Sequence, residues 1–214
     1  MVELIRGLDP AVVRDNLAAV RAEVGPDVQI LAATKYVPRE QLGAIVAAGV
    51  TVFGENRAQD LVDKHADHPG LTWDFIGQLQ SRKVKQVLPL VRWIHSVASE
   101  SALDQLDRHA TAHTEVLVEV NVAGEAGKAG IPPTELPRYL ERASAADWSI
   151  VGLMTMPPLA ARPAGNARWF AALRELAASH GLRELSMGTS QDYAVAAREG
   201  ATIVRVGNRL YTRQ

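Results

Sequence analysis

Cysteine is absent from this chain of 214 residues, and aromatic residues make up only 5% of it. The lack of thiols excludes disulfides, cysteine nucleophiles and zinc–thiolate sites. Neither sign of charge dominates, because 23 Lys and Arg stand against 24 Asp and Glu, for a formal net charge of −1. This balance argues against nucleic acid or an anionic membrane as a partner.

Long apolar runs are also missing from the sequence. No stretch approaches the roughly 18 apolar residues of a membrane span, and the segment MVELIRGLDP has no apolar core of signal-peptide length. Hydrophobic residues still make up 47% of the chain, which is enough for a substantial core. We therefore predict a soluble, cytoplasmic protein with a single domain over residues 1–214. It is predicted to be a monomer, because no extra apolar helix face is evident.

Strand and helix patterns alternate along the whole chain. Helical spacing of apolar residues separates eight strand-like segments, at 28–34, 50–54, 73–77, 91–97, 114–122, 149–155, 183–188 and 201–207. Such alternation predicts a parallel sheet, and eight units fit a closed (β/α)8 TIM barrel, with a doubly wound open sheet as the alternative. An extra N-terminal helix over residues 10–24 is predicted to plug one end of the barrel, because only NRLYTRQ follows the last strand.

The first strand ends at a lysine, in the sequence VQILAATKYVP. In a barrel, functional groups gather at the C-terminal ends of the strands. A lysine in a partly dry pocket loses proton affinity and becomes an amine nucleophile, whose natural electrophile is an aldehyde. Lys35 is therefore a candidate for a Schiff base. The alternatives are a lysine that extends to solvent or one that pairs with Glu55.

The last two strands end in the glycine-containing segments SMGTSQD and RVGN. Ser190 is predicted to be the N-cap of the next helix, and Gly207 lets the backbone come close to a ligand. Backbone N–H groups at a helix start attract phosphate, and the loops after strands seven and eight of a barrel often form such a site. A phosphate site across the barrel mouth from an amine describes a pocket for pyridoxal 5′-phosphate (PLP) or for a phosphorylated sugar aldehyde.

Five segments, ATKYVP, FGENRAQ, FIGQLQSRK, SMGTSQD and VRVGN, resemble the motifs of the pyridoxal phosphate homeostasis proteins in their order and spacing. The resemblance extends from about residue 10 to about residue 208. It implies a fold like the barrel domain of alanine racemase and other fold-type III PLP proteins. It also implies PLP as the cofactor, and a role in vitamin B6 and amino-acid homeostasis without an established catalytic activity.

The same resemblance implies where the cofactor is held. Lys35 would be the Schiff-base lysine, and Asn56 would lie near the ring hydroxyl. Ser190 and the backbone at Gly207 and Asn208 would hold the phosphate. No catalytic residue and no metal ligand is expected.

The resemblance also implies positions around the cofactor for several further residues. Arg205 would lie against the pyridine nitrogen, and a permanent cation there discourages protonation of the ring and weakens it as an electron sink. Met187 and His95 are expected to line the pocket, while Lys128 and Gly130 would lie in an exposed segment near its rim.

The chain departs from the family pattern at several positions that do not include Lys35, Asn56, Ser190 or Arg205. The departures are Asp74 for His, Arg82-Lys83 for an Asn-Lys pair, Ala98 for Asp, Asn208 for Thr, Ser or Ala, and Tyr211-Thr212 for Phe-Gly.

Three functions are compatible with these residues. The leading hypothesis is a non-catalytic protein that holds PLP as a Schiff base and releases it or hands it on, with PLP-dependent apoenzymes as partners. The second is a small fold-type III PLP enzyme, a racemase, lyase or decarboxylase, for which Tyr36 or His95 would be the second base. The third is a barrel resembling a phosphosugar aldolase.

Overall fold

The computed structural model describes residues 4–158 and 163–213. Eight parallel strands form a closed barrel in chain order, and the last strand pairs with the first. This confirms the predicted (β/α)8 barrel and excludes the open sheet. The strands are β1 Gln29–Ala33, β2 Val52–Glu55, β3 Thr72–Phe75, β4 Trp93–Val97, β5 Thr114–Glu119, β6 Trp148–Met154, β7 Glu184–Thr189 and β8 Ile203–Val206.

Helices connect the strands on the outside of the barrel. They are α1 Pro10–Val24, α2 Leu42–Ala47, α3 Ala58–Asp67, α4 Val84–Val87, α5 Glu100–His109, α6 Leu136–Ser144, α7 Ala167–Ser179, α8 Tyr193–Arg198 and α9 Asn208–Tyr211. Within residues 4–158 and 163–213, no helix combines the length and the apolar character that crossing a bilayer requires.

Side chains on the strands alternate between two buried environments. Ile30 and Ala32 belong to the large core between sheet and helices, whereas Leu31, between them, joins Val52 and Ile203 in a separate cluster inside the barrel. Because both faces of each strand are buried, the strands read as nearly continuous apolar runs. The inner cluster fills the barrel near the beginnings of β2 and β8, so the polar interior residues lie closer to the strand ends.

The N-terminal helix α1 lies in the outer ring of helices. It contacts α2, α8 and α9, and Asn16 donates hydrogen bonds to the carbonyl groups of Leu210 and Thr212 at 3.1 and 2.9 Å. The prediction that this helix plugs a barrel end was therefore wrong. It takes the outer position that would belong to the helix after β8, because α9 has only four residues.

An ion-pair network joins α5 to α6 and provides a test of the outer ring. Arg142 contacts Glu100, Asp104 and Asp107 at 3.2, 2.5 and 2.7 Å. Since an exposed ion pair contributes roughly 0.2–1 kcal/mol, we expect Arg142→Ala to lower the free energy of unfolding by about 1 kcal/mol, and by less at high salt.

The matched control is Arg138→Ala, which removes a single partner, Glu100. Urea unfolding monitored by circular dichroism measures both variants. Equal losses for the two arginines, or a loss at Arg142 that does not respond to salt, would contradict the network as the cause.

Candidate functional site

A cavity of about 470 Å³ opens at the C-terminal ends of the strands. Its volume is within the ~300–1,000 Å³ typical of small-molecule sites, and this end of a barrel is its usual functional face. The polar residues that line it are Lys35, Tyr36, Asn56, Gln78, Glu119, Thr189, Ser190, Gln191, Arg205 and Asn208, and Gly207 lines it as well. Among the residues predicted from the sequence, Met187 and His95 do not line this cavity.

Lys35 follows β1 and lines the cavity, with its side chain exposed rather than in a partly dry pocket. Its Nζ lies 4.6 Å from the centroid of the Tyr36 ring. In the described part of the chain the Lys35 ammonium group forms no ion pair, so the alternative of a pair with Glu55 does not hold. The amine is thus accessible to a ligand in the cavity.

Glu55 has a different cation as its partner, which is Lys64 of α3. Both side chains are buried, and Lys64 Nζ also donates to the Thr34 carbonyl oxygen at 2.8 Å. The Thr34 hydroxyl donates to Glu55 Oε1 at 2.5 Å. The sequence analysis did not identify Lys64 as the partner of Glu55. Its position on the inner face of the third helix, nine residues after Glu55, could have indicated this pair. Because Glu55 is already neutralised, it does not compete for Lys35.

Asn56 brings an unpaired oxygen to the cavity. Its side-chain Oδ1 is buried and accepts no hydrogen bond within the described residues. The end of β3 comes very close to this residue, since a Cβ at Gly77 would lie 2.0 Å from the Asn56 carbonyl oxygen. Gly77 therefore permits the backbone contact that fixes Asn56. A buried acceptor without a partner is costly in a protein interior, so a ligand hydroxyl would be well matched here.

Ser190 and Gly207 join the ends of β7 and β8. The Ser190 hydroxyl accepts from the Gly207 N–H at 2.9 Å, which leaves its own proton free for a ligand. The prediction that Ser190 is an N-cap was wrong: α8 begins at Tyr193, and Asp192 precedes it. In the part of the chain that is described, the N–H groups of Ser190 and Gln191 have no protein acceptor.

This group of donors lies beside Lys35 rather than across the barrel mouth from it. Strand β8 pairs directly with β1, and a Cβ at Gly207 would contact the Ala33 carbonyl oxygen at 3.6 Å. PLP carries its aldehyde and its phosphate on neighbouring ring carbons, so adjacent binding groups suit it better than opposite ones.

Arg205 is held inside the barrel by four hydrogen bonds. Its Nη1 donates to the carbonyl oxygen and the hydroxyl of Ser186, both at 2.6 Å, and its Nη2 donates to the Thr155 carbonyl oxygen at 3.0 Å and to Met156 Sδ at 2.9 Å. Of the five N–H groups of a guanidinium, only Nε–H has no acceptor among the described residues and remains for a ligand. Burial lowers the pKa of Arg205 to about 10, so the group stays cationic at neutral pH.

A chain of polar side chains continues from Arg205 into the barrel. The Ser186 hydroxyl lies 2.8 Å from His95 Nδ1, and His95 Nε2 lies 3.2 Å from Asp74 Oδ2. Since Arg205 donates to the Ser186 oxygen, the Ser186 proton points to His95 Nδ1, and the imidazole donates its Nε2–H to Asp74. Arg92 binds the same carboxylate through two hydrogen bonds.

The environment of this chain determines its protonation. Burial lowers the pKa of His95 and so favours its neutral form. Burial alone would raise the pKa of Asp74, but the hydrogen bonds from His95 and Arg92 outweigh it, and the net pKa is lowered. His95 is therefore a structural link to Arg205, and Met187, the neighbour of Ser186 on β7, faces the core between sheet and helices.

Glu119, the last residue of β5, is a lining residue that sequence reasoning passed over. It is only 6% exposed, and in the described part of the chain its carboxyl group forms no hydrogen bond or ion pair. Burial raises the pKa of this carboxyl group, and the Arg205 cation offsets part of the rise. A lone carboxylate at a strand end gives no sequence motif, so only its inward position could have indicated it.

The loop after β5 reaches the cavity at Ala129. Lys128 in this loop pairs with Glu125 at 3.0 Å. Gly130 has a φ of +100°, and a Cβ there would lie 2.7 Å from the Asn121 nitrogen, which explains the glycine at this position.

The family model and two similar relatives of known name point to the same family. Residues 8–214 match the family described as alanine racemase, N-terminal domain. The chain is 37% identical to the pyridoxal phosphate homeostasis protein of Aquifex aeolicus over 86% of each chain. It is 36% identical to that of Pseudomonas aeruginosa over 93% of this chain and 94% of the relative.

Solved structures agree with this grouping. PipY of Synechococcus elongatus, solved with PLP bound, is 35% identical, with a TM-score of 0.82 over 94% of this chain and all of that chain. Alanine racemase from Corynebacterium glutamicum, at 15% identity and a TM-score of 0.81, shares the fold, and the match covers 64% of that longer chain.

The unpaired carboxyl group of Glu119 predicts a dependence of stability on pH. Its pKa is raised in the folded state, so the folded protein holds a proton that the unfolded chain has already lost, and stability falls as pH rises through that interval. Glu119→Gln removes the effect. We expect the variant to match the wild type near pH 4 and to exceed it at pH 8 by the order of 1 kcal/mol, the scale of one unpaired buried polar group.

Thermal and urea unfolding at several pH values measure this difference. Glu125→Gln, which changes an exposed carboxylate in the following loop, is the control, and its difference in stability from the wild type should change little with pH. A Glu119→Gln variant that loses stability relative to the wild type as pH rises would refute the assignment.

Proposed function

The chain belongs to the pyridoxal phosphate homeostasis proteins, within the alanine racemase N-terminal domain family, and we propose that it holds PLP as a Schiff base on Lys35. Its role is then in intracellular PLP and amino-acid homeostasis. The observation that carries the proposal is the free amine of Lys35 beside the unpaired donors at Ser190 and Gln191, in one cavity.

Apart from the Glu119 carboxyl group, the cavity groups that lack a partner among the described residues each match a part of PLP. The Ser190 hydroxyl and the backbone N–H groups of Ser190, Gln191 and Asn208 would donate hydrogen bonds to the phosphate, and Asn208 would contribute its backbone and no hydroxyl. Asn56 Oδ1, which accepts no hydrogen bond from the described residues, would accept one from the ring hydroxyl. Nε–H of Arg205, the one N–H of this guanidinium without an acceptor among the described residues, would donate to the ring nitrogen.

PLP supplies an aldehyde that condenses with a primary amine and releases water. The chain's own residues determine how the bound ring behaves. Lys35 would provide the amine, and Arg205, held in place by four hydrogen bonds, would put a cation beside the ring nitrogen and so disfavour protonation of that nitrogen. An unprotonated ring is a weaker electron sink, and this favours holding PLP over activating an amino acid.

The relatives are named as homeostasis proteins, and we propose a non-catalytic carrier over the alternative of a racemase or lyase. Of the two second bases considered for an enzyme, His95 has both ring nitrogens hydrogen-bonded and lies outside the cavity lining. Tyr36 lines the cavity, but its ring contacts Lys35 on the same side. We further propose that the chain is one PLP-binding domain and a cytoplasmic monomer that transfers PLP to apoenzymes and binds neither nucleic acid nor membrane.

Reduction with borohydride tests the covalent link. Protein incubated with PLP and then reduced should carry one phosphopyridoxyl group, located on Lys35 by peptide mapping, and the visible absorption band should disappear in Lys35→Ala. Lys128→Ala, which removes a lysine near the rim that is paired with Glu125, is the control and should retain both signals. Labelling of another lysine, or an unchanged band in Lys35→Ala, would overturn the proposal.

The phosphate assignment is tested by comparing PLP with pyridoxal, which lacks the phosphate. Ser190→Ala removes a hydrogen bond to a charged group, worth about 1.5 kcal/mol, so we expect about a tenfold weaker affinity for PLP. The affinity for pyridoxal should not change. Absorbance titration of both ligands measures this, and an equal loss for the two would place Ser190 away from the phosphate.

A further inference from the structure

Glu119 lies on the wall of the cavity opposite Lys35. In a closed barrel of eight strands in chain order, β5 is across from β1, and Glu119 ends β5 while Lys35 follows β1. Both residues line the same cavity. A ligand that reacts at Lys35 therefore has Glu119 on its other side.

Among the described residues, only the through-space attraction of the Arg205 cation acts in favour of the Glu119 carboxylate. Glu119 is 6% exposed, and its carboxyl group has no hydrogen bond or ion pair with these residues. An unpaired buried ionisable group destabilises a fold, and such groups concentrate where a ligand is recognised. The proposed contacts of PLP leave this carboxyl group without a role, because they use Asn56, Arg205 and the ends of β7 and β8.

The charges of the cavity wall indicate what Glu119 can recognise. A carboxylate is best matched by a cation. Arg205 already gives four of its five N–H groups to the protein, and Lys35 is the reacting amine itself. An incoming amine that carries a carboxylate would meet Glu119 with no uncommitted cation among the described lining residues, whereas an amine with a second ammonium group would supply the missing partner.

We propose that Glu119 selects the amine that displaces Lys35 from PLP, and that it favours primary amines with a second positive charge over amines with a carboxylate. This inference rests on the proposed function. The incoming nitrogen forms the carbon–nitrogen double bond to PLP as the bond to Lys35 breaks. The protons that the incoming amine loses pass to the Lys35 nitrogen, so that no oxidant or reductant is needed. Diamines and lysine side chains next to another cation belong to the favoured class.

Three amines of equal chain length and similar basicity form the test: 1,4-diaminobutane, n-butylamine and 4-aminobutanoate. The full chain loaded with PLP is mixed with an excess of each amine, and the PLP that remains on the protein is followed by absorbance and by gel filtration. Each rate constant is divided by that of the same amine with free PLP. We expect 1,4-diaminobutane to exceed 4-aminobutanoate by tenfold or more in the wild type, with n-butylamine between them.

Glu119→Gln should reduce this ratio at least fivefold, and Glu119→Leu serves as a second variant if the first does not fold. Comparing ratios within one variant cancels any change in PLP binding itself. The control is Glu135→Gln, which alters an exposed carboxylate between β5 and α6 that does not line the cavity and should leave the ratio unchanged. A readout without PLP is the thermal midpoint, which 1,4-diaminobutane should raise in the wild type and not in Glu119→Gln.

A ratio near one in the wild type, or the same ratio in Glu119→Gln, would overturn the inference. The proposed function fails separately: if borohydride leaves Lys35 unlabelled, PLP is not held as proposed. Labelled Lys35 with an unchanged amine ratio would refute only the role of Glu119.

Discussion

The buried ion pair between Lys64 and Glu55 determines whether Lys35 is available. Glu55 lies at the end of β2, next to the end of β1, and a buried carboxylate there requires a cation. Lys64 reaches it from α3 and is held additionally by the Thr34 carbonyl group. Removing one partner of such a pair typically costs about 3–5 kcal/mol, so Lys64 is bound firmly. The ammonium group of Lys35 is then the one that faces the cavity without an anionic partner among the described residues.

Two layers of side chains fill the barrel interior beneath the site, one apolar and one polar. Apolar side chains around Leu31 fill the interior near the beginnings of the strands, and the chain of Asp74, His95 and Ser186 leads to Arg205. Every member of that chain has hydrogen-bond partners, which fixes the guanidinium before a ligand arrives. Asn56 Oδ1 and the Glu119 carboxyl group, which have no hydrogen bond from the described residues, lie at the cavity wall. Polar groups without partners, which lower the stability of the fold, thus lie where a ligand would bind, and the polar groups deeper in the barrel are paired.

Much of the architecture could be predicted from the sequence, because eight apolar segments between helical patterns leave few alternatives to a barrel. The positions of the strand ends indicated Lys35, Ser190 and Gly207, and the family resemblance added Asn56, Arg205 and Asn208; all six line one cavity. The resemblance also implied Met187, which instead faces the core between sheet and helices, because a motif does not determine which face of a strand a residue takes. His95 faces inward, but its partners on β3 and β7 hold it away from the cavity lining. The pairing of Ser190 with Gly207 and of Lys64 with Glu55 depends on contacts between distant elements that no local pattern contains.

The central claim is a covalent bond between Lys35 and PLP, with the phosphate at the ends of β7 and β8. A crystal structure of the protein grown with an excess of PLP tests it most directly. We expect continuous electron density from the Lys35 Nζ to the aldehyde carbon of PLP, with phosphate oxygens within hydrogen-bond distance of Ser190 and the backbone at Asn208. Density for PLP that is separate from a Lys35 side chain turned to solvent would contradict the account, as would a cavity that stays empty.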